Sequence, residues 1–291
     1  MAHIPNERLL ASRVEAGEDR PDIEGLFGPR SMLWQVSAEA AGLLGAGRSI
    51  LLQIAHPKIA AGVAEYSSFQ KDPLGRLDRT LDMMLTIVFG DRAAAEAKIR
   101  AFHRVHAPVH GQLDESAGPF SVGEAYTAQD PALKLWVHAT LMDTNLLVYQ
   151  KFVRPLSHAE QTMYYEDSLL FARRLGIPAS ILPPTLADFQ DYMREMLDSD
   201  TLTVTDTARA LSVDILDPPV WLLPRLGGRF VGFVTAGLLP QRLREAYGLS
   251  WGPRRQTVLD ALGPTTRFLL PLLPDRLRLL PQARAAESRL Q

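Results

Sequence analysis

Apolar side chains recur at three- and four-residue intervals along almost the whole chain, and this one periodicity decides the fold class. A helix turns once in about 3.6 residues, so that spacing lines apolar groups along one face; a half-buried strand needs strict alternation bounded by turns. Alternating runs hardly occur, and the chain is predicted to be all-α. Helices are expected at about 32–46, 48–66, 74–89, 92–109, 130–153, 157–175, 185–198, 205–213, 219–238 and 253–270, with shorter ones near 6–16 and 240–247. Asp72-Pro73 and Asp130-Pro131 mark helix starts, while Gly90 and Gly176-Ile177-Pro178 mark stops. The segment from Gln112 to Gln129 is the longest expected loop, either a lid or an ordinary connector. From Pro281 onward, with Arg284, Glu287 and Arg289, a frayed tail is expected.

No linker rich in Pro, Gly or Ser divides the chain, and 46% hydrophobic content among 291 residues suffices to bury the core of a single multi-helix domain. With 31 basic and 33 acidic residues and no basic cluster, nucleic acid is not an expected partner. The lack of cysteine excludes disulfides, thiolate metal sites and cysteine nucleophiles. The first twenty or so residues lack the apolar core of a signal peptide, so a cytoplasmic location is expected. The most apolar stretch, Trp221 to Leu239, is interrupted by Pro224, Arg225 and Arg229, so no integral membrane span is expected. Phosphate loops, serine-hydrolase elbows and kinase motifs are lacking.

Two constellations could carry chemistry. Arg76, Arg79 and Thr80 follow i, i+3, i+4 spacing, which puts two cations and a hydroxyl on one helix face. The residues that follow them are apolar through Phe89, which predicts a helix running through the interior. Buried arginine needs a carboxylate or oxyanion partner; alternatively Asp72, Asp78 and Asp82 pair with it at a solvated helix start. The second constellation is His103, His106 and His110, with His106 and His110 expected on a common face. Imidazoles so spaced can bind a transition metal or haem iron, or simply complement a helix end, as His110 beside Gly111 would. Only Gly90 and Asp91 join the two predicted helices, so an antiparallel hairpin can turn both polar faces toward one pocket. Without Glu-x-x-His or His-Glu-x-x-His, a di-iron bundle or zincin site is disfavoured. Elsewhere His56, before Pro57, suits packing or capping; His138 on the long helix suits a supporting role behind a cofactor ligand. Trp136, His138, Thr140, Asp143 and Thr144 should satisfy one another's polar groups, and Tyr164 to Asp167 should bond between helices.

The order LLQIAHPKIAAGVAEYSSF, DPLGRLDRTLDMMLTIVFGD, HRVHAPVHG, DPALKLWVHATLMDTNLLVYQKFVRPLS and LPQRLREAYGLSW resembles the oxygenase family of the MpaB enzymes and the rubber oxygenases, or latex clearing proteins. The resemblance spans roughly residues 30 to 255, with residues 1–29 an N-terminal extension and 256–291 a C-terminal helical extension packed on the same domain. It implies a globin-like core, a b-type haem and dioxygen chemistry. It makes His106, in Val105-His106-Ala107-Pro108-Val109, the implied axial ligand and the metal-binding residue. Arg76-Leu-Asp-Arg79-Thr80 is similar to the family's distal Arg-x-x-Lys-Thr, so Arg76, Arg79 and Thr80 are the implied catalytic set and Arg76 and Arg79 implied contacts of the cofactor; His110 and His138 are further candidate cofactor contacts. Arg79 replaces a lysine; a guanidinium keeps its proton and cannot switch into a neutral amine ligand. Glu65 is the one carboxylate of the preceding helix that could stand for the family's distal base. The expected substrate is small or lipid-like rather than an extracellular polymer. Two other readings are a cofactor-free helical protein binding an apolar ligand, and a non-haem metal oxidoreductase using His103, His106 and His110.

Overall fold

The computed structural model describes residues 22–66, 73–216 and 225–291, and these are overwhelmingly helical. In chain order the helices are α1 (Met32–Ala38), α2 (Ala46–Ile54), α3 (Pro57–Tyr66), α4 (Pro73–Phe89), α5 (Arg92–His106), α6 (Pro131–Phe152), α7 (His158–Arg174), α8 (Leu186–Asp198), α9 (Asp206–Leu216), α10 (Arg225–Leu238), α11 (Gln241–Ala246), α12 (Pro253–Leu269), α13 (Asp275–Arg278) and α14 (Pro281–Leu290). The one sheet among them is a small antiparallel pair, β1 (His110–Gln112) and β2 (Ala125–Thr127). The expected helix near 6–16 and the start of that at 219–238 lie outside the described residues.

The axis of the molecule is α6, whose apolar residues lie all round rather than on one stripe, as a helix packed on several sides requires. It starts where Asp130 accepts from Ala132 N and Pro131 fills the first turn. It packs against α1, α2, α7, α8 and α12, and Trp136, Ala139, Thr140, Thr144 and Val148 are completely enclosed. Burying a Leu or Phe in such a core contributes about 1.5–3 kcal/mol each. The polar groups of Trp136, Thr140, Asp143 and Thr144 are met from neighbouring helices rather than by one another, and His138 Nδ1 has no hydrogen-bond partner. Trp136 Nε1 donates to Leu52 O at 3.1 Å, and Thr140 Oγ1 accepts from Gln53 Nε2 at 3.1 Å. Arg48, 4% exposed, reaches Asp143 Oδ2 at 2.7 Å, Thr144 Oγ1 at 2.5 Å and Leu238 O at 2.9 Å, fastening α2 to α6 and α10. In α7, Tyr165 Oη donates to Pro183 O at 2.6 Å, and Asp167 Oδ2 accepts from Leu33 N at the head of α1, 3.2 Å away.

Four expectations need correcting. The helix expected over 48–66 is two, because Pro57 cannot continue the hydrogen bonds of α2 and instead opens α3. The loop Gln112–Gln129 is a hairpin excursion: it starts and ends on β1 and β2, and Leu113 N donates to Glu124 O at 3.0 Å. The tail from Pro281 is not frayed, since Ala283 and Ala286 are buried, α14 packs on α4, and Arg289 Nη2 donates to Phe89 O at 2.6 Å. Finally, α4 runs through the interior only in its second half. Ile87, Val88 and Phe89 are buried, Phe89 edge-on to Trp34 at 4.8 Å, while Asp78, Arg79 and Thr80 are exposed.

Candidate functional site at the open end of the α4–α5 hairpin

Helices α4 and α5 form the antiparallel hairpin that the short Gly90-Asp91 turn demands, with Asp91 Oδ1 accepting from Ala94 N at 2.8 Å to start α5. Gly90 is required there, because a Cβ would stand 2.5 Å from Thr86 O. An ion pair between Lys98 and Asp82 fixes the register. At about 1.5 Å per residue, that register sets His106 level with the first turn of α4, where Arg76 stands, and Arg79 and Thr80 about one turn nearer the loop. The side chain of Arg76 lies outside the described residues, as does Asp72. Arg79 and Thr80 are exposed rather than enclosed, so the expected buried cations are not found in Arg79.

His106 ends α5, and Pro108, with no N–H to donate, lets the helix go no further. Its half-buried ring lies 4.1 Å from that of Phe102, and its Nδ1 is 2.8 Å from Phe102 O. A carbonyl only accepts, so Nδ1 carries the hydrogen, and in the neutral ring Nε2 holds the lone pair. That tautomer, with the second nitrogen anchored to backbone, is the one by which a histidine ligates a metal. His103 points elsewhere: its Nε2 lies 3.3 Å from Arg174 O at the carbonyl end of α7, and its Cε1 backs onto Gly176, whose φ of +80° turns the chain there. His110 is not on the helix at all but on β1, exposed, and its carbonyl accepts from Tyr66 Oη at 2.7 Å. The three histidines therefore do not converge, and among the described residues no trio of His, Asp or Glu forms a metal-holding group.

Beside His106, the end of α3 packs on the hairpin of β1 and β2. Tyr126, 5% exposed, donates from Oη to Glu65 Oε2 at 2.5 Å. Burial, and after it the neighbouring Glu65 carboxylate, push the Tyr126 phenol well above the ordinary tyrosine value, so it stays a donor and holds Glu65 in place. Gly111 makes room for the pair: a Cβ there would stand 2.6 Å from Tyr126 Oη and 2.8 Å from Glu65 Oε2. Tyr126 was missed by sequence reasoning because its partner is 61 residues away and nothing local marks it.

His56 and His138 lie apart from this edge. His56, 5% exposed, faces Phe120 at 5.0 Å beneath the 113–124 excursion, which Lys58 holds down by its 2.8 Å ion pair with Glu124. His138, 4% exposed, stacks on Phe171 of α7 at 6.1 Å and leaves Nδ1 without a hydrogen-bond partner. It sits one turn beyond Lys134, whose ammonium lies near Gly176 and thus behind His103. Burial lowers both imidazoles to about 4; for His56 the Lys58 charge adds to the effect.

The edge at which the end of α3, the start of α4, the end of α5 and β1 meet is the part of the chain that carries the motifs singled out above. The family described as "ER-bound oxygenase mpaB/B'/Rubber oxygenase, catalytic domain" matches residues 34–268. The chain belongs to this family. It thus carries an mpaB/rubber oxygenase catalytic domain, and Trp34 through Phe268 reaches from the first turn of α1 to the last turn of α12. Relatives at 26% identity include the uncharacterized protein Mb2261 of Mycobacterium bovis and the uncharacterized protein Rv2237 of Mycobacterium tuberculosis, each aligned over 235 residues, 78% of this chain and 88% of the relative. No solved structure matches significantly. Among the described residues no helix is long and apolar enough to cross a membrane.

Proposed function

We propose that the chain is a haem-dependent oxygenase acting on a small or lipid-like apolar substrate, with His106 as the residue that would hold the iron of a b-type haem. The single observation that carries the reading is the 2.8 Å contact of His106 Nδ1 with Phe102 O, which presents Nε2 as the donor, with Phe102 as an apolar face beside it. His103, by contrast, turns its Nε2 to the carbonyl end of α7, and His110 is carried on β1. The oxygenase family supports dioxygen as co-substrate.

When bound, the haem would supply the redox chemistry on dioxygen. The protein's own part is positioning and electrostatics. Arg76, Arg79 and Thr80, on one face of α4, supply two permanent cations and a hydroxyl suited to a propionate or to charge developing on oxygen. As a guanidinium, Arg79 would act as a fixed donor rather than as a base. Glu65, held by Tyr126, is the carboxylate available to take a proton at the same edge. His110 frames the site through β1, and His138, apart from this edge, would support it only through α7, whose Phe171 it stacks on and whose Arg174 O faces His103. The location proposed is the cytoplasm.

The test is an absorption spectrum and an iron analysis of protein expressed with added haem, followed by oxygen consumption with apolar candidate substrates. A Soret band with stoichiometric iron supports the reading. Protein that stays colourless after reconstitution contradicts it.

A further inference from the structure

We propose that the turn joining α12 to α13 is a docking surface for an anionic lipid membrane. Five of the large apolar side chains exposed among the described residues come from ten consecutive positions: Phe268 at 74%, Leu269 at 50%, Leu272 at 70%, Leu273 at 40% and Leu277 at 62%. Leu43, 42% exposed, adjoins them, because the short helical turn over 40–45 packs against α13. Scattered exposed leucines are ordinary on a soluble surface, but a run this dense is a patch that another phase or molecule covers.

The shape and charge point to lipid. Pro271 and Pro274 stiffen the turn, and a 3₁₀ segment (Leu270–Leu272) holds it out from the end of α12. Three of its side chains, Phe268, Leu272 and Leu277, keep more than 60% of their surface in water. Protruding aromatic and leucine side chains insert into a fluid hydrocarbon boundary; a rigid protein partner would need a matching socket for each. The surroundings are basic. Between Ala261 and Ala286 the chain has Arg267, Arg276, Arg278 and Arg284 against one acid, Asp275, and Arg278 spans Asp275 and the buried Glu39. Arginines around an inserted apolar turn meet anionic headgroups at the depth where those lie. The inference is independent of the haem reading: it concerns where the protein works and would hold for any activity of the edge described above.

The experiment is vesicle co-sedimentation of the full chain with phosphatidylcholine vesicles and with equimolar phosphatidylcholine–phosphatidylglycerol vesicles, alongside size-exclusion chromatography. The wild type is expected to partition onto the anionic vesicles at least tenfold more than onto the neutral ones, with added salt reducing the difference. Replacing Phe268, Leu272 and Leu277 together by Ser is expected to lower partitioning at least tenfold while leaving the thermal melt in place, since all three are exposed. Arg276→Glu, a single exposed change, is expected to remove most of the anionic preference. No partitioning by the wild type, or partitioning of the triple variant equal to that of the wild type, overturns the proposal. So does a wild-type dimer that the triple variant renders monomeric, because the patch would then be covered by a second copy of the chain.

Discussion

Lowering the pH from 7 to 5 should destabilise this protein through two buried imidazoles, and replacing one of them should remove its share. His56 and His138 are 5% and 4% exposed, and burial holds each at about 4, against an ordinary value of 6.5. Above pH 6.5 both are neutral folded or unfolded, and pH has no leverage on them. As pH falls below that, the unfolded chain takes up two protons that the native chain refuses, so stability falls until the native groups titrate near 4. At about 1.36 kcal/mol per unit, each imidazole costs roughly 2 kcal/mol at pH 5, and the pair roughly 4 kcal/mol. That is a large part of the 5–15 kcal/mol typical of a folded domain. His138→Phe keeps an aromatic ring against Phe171 and discards a nitrogen that has no partner. Urea unfolding followed by circular dichroism at pH 7 and pH 5 should show the variant losing roughly 2 kcal/mol less than the wild type, the carboxylates common to both cancelling in the difference. Equal losses would mean that His138 is not held neutral, and the reasoning from its burial would fail.

Two further changes probe the framework around the site. Arg48→Ala strips three helices of their shared donor and leaves Asp143 and Leu238 O unpaired, so a loss of about 3 kcal/mol in urea unfolding is expected; a loss under 1 kcal/mol would show the cluster to be incidental. Gly111→Ala drives a methyl into the rigid Tyr126 hydroxyl, and about 1–3 kcal/mol should be lost, with the tyrosine freed to titrate at lower pH in an ultraviolet titration; unchanged stability would mean that the Tyr126–Glu65 contact does not hold the hairpin against α3.

Apolar recurrence and punctuation made the helices legible: Asp130-Pro131 marked the start of α6, and Gly176-Ile177-Pro178 the stop of α7. Where neighbours decide, the sequence was mute or misleading. Three-residue strands carry too little alternation to reveal β1 and β2. The charged tail conceals Ala283 and Ala286, whose small side chains are what lets α14 lie close on α4. The candidate site shows the same division. The adjacency of α4 and α5 follows from a two-residue turn, and so the nearness of His106 to the Arg76 turn was legible. The differing fates of three histidines were not, because they depend on Arg174 O from a distant helix for His103, on Phe102 O for His106 and on a strand pairing for His110. Arg79 and Thr80 lie exposed because α14 and α1 pack on α4 while Asp78, Arg79 and Thr80 face outward, which the apolar run after Thr80 does not disclose.

The most direct test of the proposed site compares His106→Ala with His103→Ala, each expressed with added haem. Binding through His106 Nε2 predicts that the Soret band of the wild type is lost or shifted in His106→Ala, while His103→Ala, which removes a contact with Arg174 O and an edge-on contact with Phe102, keeps it. A band untouched by His106→Ala, or one abolished equally by His103→Ala, would contradict the assignment.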